Sequence, residues 1–426
     1  MYKKGFIITL IFVLSTLIQL VSQIFITRIF GASITLDTFL ASVALPTIIV
    51  TVIYATFNDA FLPILGEKRA KDPENADQFF FSHFISLTLI SFIFSVILMA
   101  FSGVIANLMY VGRGVQFVNE VSYQMRFLFL SIPLAVTTTL LGTYLYSIKK
   151  FNRFPLAQLT GNLINLVLII LLSKYLGIWS LIIGFVFSVT VQIFIVFNFR
   201  LLTQSFKFTN LIPFLTALTP LIVGSFAVRS DTLIVRSYGA LMPEGSLVYL
   251  NLISKIFSLA TGIVTIGIQV LLLPHLVEYI SKKEYEKTIL YVNKAKVFGI
   301  LSTLVAITLI VLLAPVFINL LFVGGKFTIE DAKNTSSLIP FFIIPAIAWG
   351  VNSIFFQPLI ALKKQLQLGF LNLSALFLAF LSAYITNYIS EPFYAIIVGI
   401  TVLLLTGIIG SEILWQHYKK KLLKSQ

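Results

Sequence analysis

Three groups of residues place charge where hydrocarbon would penalise it. Lys255 lies about eight residues into a long apolar run, on one helical face with Asn251, Ser254 and Ser258. A cation in such a stripe can face a water-filled cavity and receive an anionic ligand. The alternative is a lysine that snorkels outward along its own stem. In a neighbouring run, Arg229 and Arg236 are separated by seven residues, close to two helical turns. A continuous helix would put both on one face about 10 Å apart, with Asp231 pointing elsewhere. Stacked guanidiniums suit a diphosphate through bidentate contacts; an inter-helix pair plus a rim residue fits the spacing equally. Asp37, an isolated acid, reads as a cation site, a proton-linked switch or an interfacial helix cap. With Arg28 and Asp231 it makes the set expected to sense coupling or gating. Asp59 reads as interfacial. Thr16, Gln19, Ser22 and Gln23 form a neutral stripe of the kind that glues helices together.

Other chemistry is poorly served. The chain has no cysteine, so thiolates and disulfides are excluded. Three scattered histidines (His83, His275 and His417) make no metal cluster, and Gly324-Gly325-Lys326 lacks the spacing of a phosphate-binding Walker loop. No loop is long enough for an extramembrane catalytic domain. The expectation is a protein that is not an enzyme, with no cofactor beyond monovalent-cation or membrane-potential coupling.

The elements that must position these residues follow from composition. The chain is 58% hydrophobic and 11% charged, with a mean hydropathy of +1.00, against about 25% charged residues in a soluble domain. Its apolar runs are near 20 residues long, which reads as an all-α polytopic membrane protein rather than a barrel. Twelve spans are expected near 5–27, 35–65, 79–101, 124–147, 156–174, 178–199, 212–236, 247–275, 297–320, 336–362, 367–387 and 391–414. The first is too long for a signal-peptide core and reads as a retained span. The second is expected to break at Pro46, and residues 281–296 to form a short amphipathic helix at the inner face. With both termini inside, 21 of the 30 basic residues fall on inner segments, Lys296 among them, and six fall outside. The net charge of +14 is therefore mainly a topology signal, with no nucleic-acid partner required.

The chain also repeats itself. Arg28-Ile-Phe-Gly31-Ala32 returns as Arg236-Ser-Tyr-Gly239-Ala240, 208 residues on, and Leu62-Pro63 as Leu273-Pro274, 211 on. Gly112 pairs with Gly324 and Pro133 with Pro345 at 212, and Lys149-Lys150 with Lys363-Lys364 at 214. Ordered landmarks at a near-constant offset indicate duplication. The expected organisation is two pseudo-symmetric six-helix lobes, 1–207 and 208–426, around a central cavity.

Phe30-Gly31-Ala32, Asp37-Thr38-Phe39, Leu45-Pro46 and Ala60-Phe61-Leu62-Pro63 together resemble the signature of the MurJ (MviN) family. Asn152-Arg153-Phe154, Pro243-Glu244-Gly245-Ser246, Leu271-Leu272-Leu273-Pro274, Gly325-Lys326-Phe327-Thr328 and Ala361-Leu362-Lys363 continue it in family order. The resemblance implies a lipid II flippase of the multidrug/oligosaccharidyl-lipid/polysaccharide exporter superfamily. It implies alternating access and a lipid-linked sugar diphosphate carried across the bacterial inner membrane. It sets Lys255 at the family's C-lobe arginine and Asp37 at the acid of the second span. Partners so implied are the lipid-linked glycan, membrane lipids and envelope-synthesis enzymes. Three features depart from the pattern. Thr16 and Ser22 stand where the family places first-span arginines, the basic residue after Leu45-Pro46 is missing, and two further spans found in many relatives are not seen. A related envelope or exopolysaccharide intermediate is thus expected alongside lipid II. The rival expectations are a cation-coupled drug or metabolite exporter of the same fold and a transport-inactive scaffold.

Overall fold

The computed structural model describes residues 2–424, without the side chains of residues 2–7, 260, 263–271, 274, 353 and 424. The side chains of Leu271 and Pro274 in the motifs above, and of Lys3, Lys4 and Lys424 among the 21 inner basic residues, therefore lie outside the described part. Two compact units are formed by Met1–Phe226 and Ala227–Gln426.

The first unit holds α1 (Tyr2–Phe30), α2 (Ile34–Ser42), α3 (Ala44–Lys71), α4 (Ala76–Ala100), α5 (Ser102–Met109) and α6 (Val115–Phe129). It continues with α7 (Ser131–Ser147), α8 (Arg153–Leu176), α9 (Trp179–Val196) and most of α10 (Ile212–Arg229). The second unit holds α11 (Asp231–Gly239), α12 (Ser246–Ser281), α13 (Tyr285–Leu321), α14 (Ile329–Leu338), α15 (Ile343–Ala361), α16 (Gln365–Ile389) and α17 (Pro392–Lys424). Among the described residues eleven helical stretches are long and apolar enough to cross a membrane, and α12 is a further helix of 36 residues. This is an all-α polytopic membrane protein.

Three breaks in the long spans lie just before a proline, while Pro63, Pro220, Pro315 and Pro358 are carried inside helices. A proline ring collides with the carbonyl four residues before it and supplies no N–H, so a helix stops and restarts just upstream. Pro46 and Pro133 each occupy the third residue of a new helix, and α2 and α6 end at Ser42 and Phe129, four residues earlier. The break expected at Pro46 thus falls at Val43. Pro345 is likewise the third residue of α15, after a tight 3-10 turn at Ile339–Phe342. The 208-residue offset sets Ser254 opposite Pro46, and α12 runs on unbroken through Lys255.

The repeat is visible in how each unit packs. α3 on α7, α4 on α7, α7 on α9 and α8 on α9 in the first unit are matched by α12 on α15, α13 on α15, α15 on α17 and α16 on α17 in the second. Backbone details recur too. Lys149 and Lys363 both have positive φ, 62° and 58°. In each unit the following lysine N–H reaches back five residues, Lys150 to the Leu145 carbonyl at 2.8 Å and Lys364 to the Leu359 carbonyl at 2.9 Å. These are left-handed helix closures in which lysine takes the place usual for glycine. Its charge complements the carbonyl end of the helix.

Two expectations are corrected here. Residues 281–296 are not a separate amphipathic helix, because only the turn after Ser281 interrupts α12 and α13, and Tyr285 already begins the latter. The seventh span, 212–236, is not one helix: Ser230 separates α10 from α11.

Candidate functional site

In the second unit a buried polar cluster joins α11 to α12. Gly239 abuts Leu247 and Leu250 so closely that a Cβ would stand 2.7 and 2.8 Å from their methyl carbons. That approach brings α11 against the start of α12 and lets Arg236, only 8% exposed, reach across. Its Nη1 donates to the Leu247 carbonyl at 3.2 Å, and its Nη2 donates to Asn251 Oδ1 at 2.6 Å. Asn251 therefore orients Arg236 within the protein.

One turn beyond Asn251, Lys255 is the single exposed side chain among the described residues of 246–262. Leu250, Leu252, Ile253 and Phe257 around it are buried, while Ser254, Ile256 and Ser258 on its own side are partly exposed. Ser258 lies on the same face, but its hydroxyl donates to the Lys255 carbonyl at 2.9 Å and so serves its own helix first.

The break at Ser230 changes the expected arginine pair. Arg229 is exposed at the end of α10, whereas Arg236 is buried inside α11, so no continuous helix stacks them on one face. Asp231 opens α11 and accepts from the Thr232 N–H at 2.7 Å. An anion is favoured in this first turn because unpaired N–H groups point toward it. Interrupted helices whose ends meet charged groups are the usual material of transporter sites.

In the first unit Asp37 is 3% exposed and lies in the first turn of α2, behind the Ser33 cap, whose hydroxyl accepts from the Leu36 N–H at 3.4 Å. Gly31, at φ 67°, turns the chain from α1 into this helix, with Arg28 partly buried in the last turn of α1. Buried polar groups further along α2 are tied to α6. Ser42 donates to Gln124 Oε1 at 3.0 Å, and Gln124 Nε2 reaches Thr38 at 3.3 Å and Glu120 at 3.0 Å. On α1, Thr16 and Ser22 bond to carbonyls of their own helix. It is the neighbouring Ser15 that joins helices, accepting from Asn162 at 2.6 Å.

One charged pair escaped the sequence reading. Lys296 is buried in α13 and pairs with Glu412 of α17, with its ammonium 4.8 Å from the Phe355 ring centre and 5.8 Å from that of Trp415. Lys296 lies within the continuous α13 and faces the last long helix of the chain. The signal available was Glu412, an acid inside the last apolar run.

Known proteins resemble this chain in sequence and fold. The family model described as "Lipid II flippase MurJ" matches residues 26–423. A protein of Buchnera aphidicola subsp. Acyrthosiphon pisum described as "Probable lipid II flippase MurJ" is 24% identical over 352 residues, covering 78% of this chain and 68% of its own. A solved structure of the lipid II flippase MurJ in an inward closed conformation superposes with a TM-score of 0.78 at 21% identity, over 98% of this chain and 89% of that one. An inward-facing multidrug resistance MATE family transporter of the MOP superfamily reaches 0.79 at 15% identity, over 97% and 96%. The fold is common to both solved structures, and the family match over almost the whole chain separates them: this chain belongs to the MurJ family.

Proposed function

We propose that this protein is a flippase that moves a polyprenyl-diphosphate-linked glycan precursor, lipid II or a related envelope or exopolysaccharide intermediate, across the bacterial inner membrane. The observation that carries the reading is the match of residues 26–423 to the lipid II flippase family. Lys255, exposed on α12 one turn beyond Asn251, supplies the charge such a headgroup needs. No bond is made or broken in this task, and no enzymatic chemistry is assigned.

In this reading residues 1–207 and 208–426 act as two lobes in alternating access, with both termini cytoplasmic. Lys255 takes the diphosphate, and Arg229 at the α10 break adds a second cation. Arg236 is held by Asn251 and keeps the α11–α12 corner in shape and its field positive, while Ser258 lines the same face. Asp37, Asp231 and Arg28 respond to the state of the cycle. A monovalent cation or the membrane potential drives the step; one charge crossing 100 mV is worth about 2.3 kcal/mol.

The test is depletion of the protein in its own bacterium, followed by analysis of polyprenyl-linked sugars. Accumulation of one such intermediate, relieved by the wild-type chain, supports the reading. Unchanged lipid-linked sugars together with loss of drug efflux would replace it with an exporter.

A further inference from the structure

The connector between Val196 at the end of α9 and Ile212 at the start of α10 is held in place yet presents apolar side chains outward. Both flanking helices are membrane spans, so the connector begins and ends at the membrane boundary. Three contacts pin it to the first turns of α4. Arg200 Nε lies 3.5 Å from Asp77 Oδ2, Gln78 Nε2 donates to Ser205 Oγ at 2.5 Å, and the Lys207 N–H donates to Ser82 Oγ at 3.0 Å. Leu201 is buried beneath.

What remains outside is apolar and basic. Phe199 is 77% exposed and Phe208 98%, with Leu202 and Phe206 exposed between them. Phe206 and Phe208 stand edge to face at 5.3 Å, as Phe197 and Phe199 do at 5.4 Å. Arg200 and Lys207 supply two positive charges, and residues 197–212 contain no acid. Exposed aromatics interleaved with cations on a fixed backbone match an anionic lipid surface: the rings fit the boundary between headgroups and acyl chains, and the cations fit the phosphates.

We propose that residues 199–208 are an interfacial docking segment for anionic phospholipids, with Phe199, Leu202, Phe206 and Phe208 inserted at the headgroup boundary and Arg200 and Lys207 on lipid phosphates. The segment anchors the connector that follows α9, whichever substrate the protein carries.

The chain has no native cysteine, so a spin label at Phe208→Cys in the full-length protein reports one position. The protein is placed in nanodiscs of phosphatidylcholine alone or mixed with phosphatidylglycerol, and label collisions with oxygen and with a water-soluble nickel chelate are compared. The expected result is oxygen-rich, nickel-poor accessibility that is strongest with phosphatidylglycerol. Adding Arg200→Gln and Lys207→Gln should lower the ratio of attached to detached segment by roughly thirtyfold, two basic residues' share of attraction to an anionic leaflet. Lys207→Gln alone, which leaves the Arg200–Asp77 contact untouched, should give an intermediate shift. Equal nickel access in both lipids would place the segment in water and overturn the proposal. Shielding from both reagents in both lipids would also overturn it, by showing that the segment packs against the chain itself.

Discussion

Arg236 and Asn251 are joined by a 2.6 Å hydrogen bond between α11 and the first turns of α12, with the guanidinium buried. A buried cation keeps its place only while its donors are satisfied, and an Arg–Asn bond is charge-assisted. Asn251→Ala should cost about 1.5–3 kcal/mol. Arg236→Lys should cost a similar amount, because an ammonium cannot reproduce the two-pronged contact to Asn251 and Leu247. Thermal unfolding in detergent measures both. Ser258→Ala, which removes a hydroxyl bonded within its own helix, should leave the midpoint almost unchanged.

Lys296 and Glu412 give a second prediction. Removing Glu412 leaves the buried Lys296 ammonium without its counter-charge, so Glu412→Leu should destabilise by about 3–5 kcal/mol, and Lys296→Met, which leaves a carboxylate that water partly reaches, by less. The combined variant, which removes both charges, should recover most of that loss. A double variant as unstable as the sum of the singles would show that the two charges act independently.

Asp37 is separated from its cap by the geometry of α2. Ser33 already caps the helix, so Asp37→Asn preserves shape and helix start while removing the charge. Complementation should fail at wild-type abundance if the acid senses the transport cycle. Normal growth with Asp37→Asn would reduce the residue to packing.

Lys149 and Lys363 occupy left-handed backbone positions that cost a residue with a side chain about 1 kcal/mol relative to glycine. Lys149→Gly and Lys363→Gly should therefore keep the fold and raise the unfolding midpoint slightly. The gain is offset by the lost attraction between lysine and the helix end. A fall of several degrees would mean that these lysines bind something in the native state.

Most of this architecture was legible because lipid leaves few choices. Apolar runs become helices, and several landmarks in order at offsets of 208 to 214 residues, Pro133 and Pro345 among them, point to the duplication. Helix interruptions were harder to place. Pro46 announces a break, but the steric conflict acts on the carbonyl four residues earlier, so the joint falls at Val43. Ser230 carries no such warning, and the Arg229–Arg236 spacing was accordingly read as one face of an uninterrupted helix. The pairing of Lys296 was not legible, because its partner Glu412 is distant in sequence and only the fold brings the two together. Lys255 stands out in the sequence because its polar neighbours repeat at helical spacing.

The most direct measurement is transbilayer movement of a fluorescent polyprenyl-diphosphate sugar in proteoliposomes holding the full-length protein, compared with Lys255→Met and Lys255→Arg. Wild type and Lys255→Arg should carry the lipid, and Lys255→Met should fall by tenfold or more, about 1.4 kcal/mol per tenfold, with an unchanged unfolding midpoint. Wild-type movement by a folded Lys255→Met protein would contradict the role given to this lysine. A folded wild-type protein that moves no diphosphate-linked lipid would contradict the account itself.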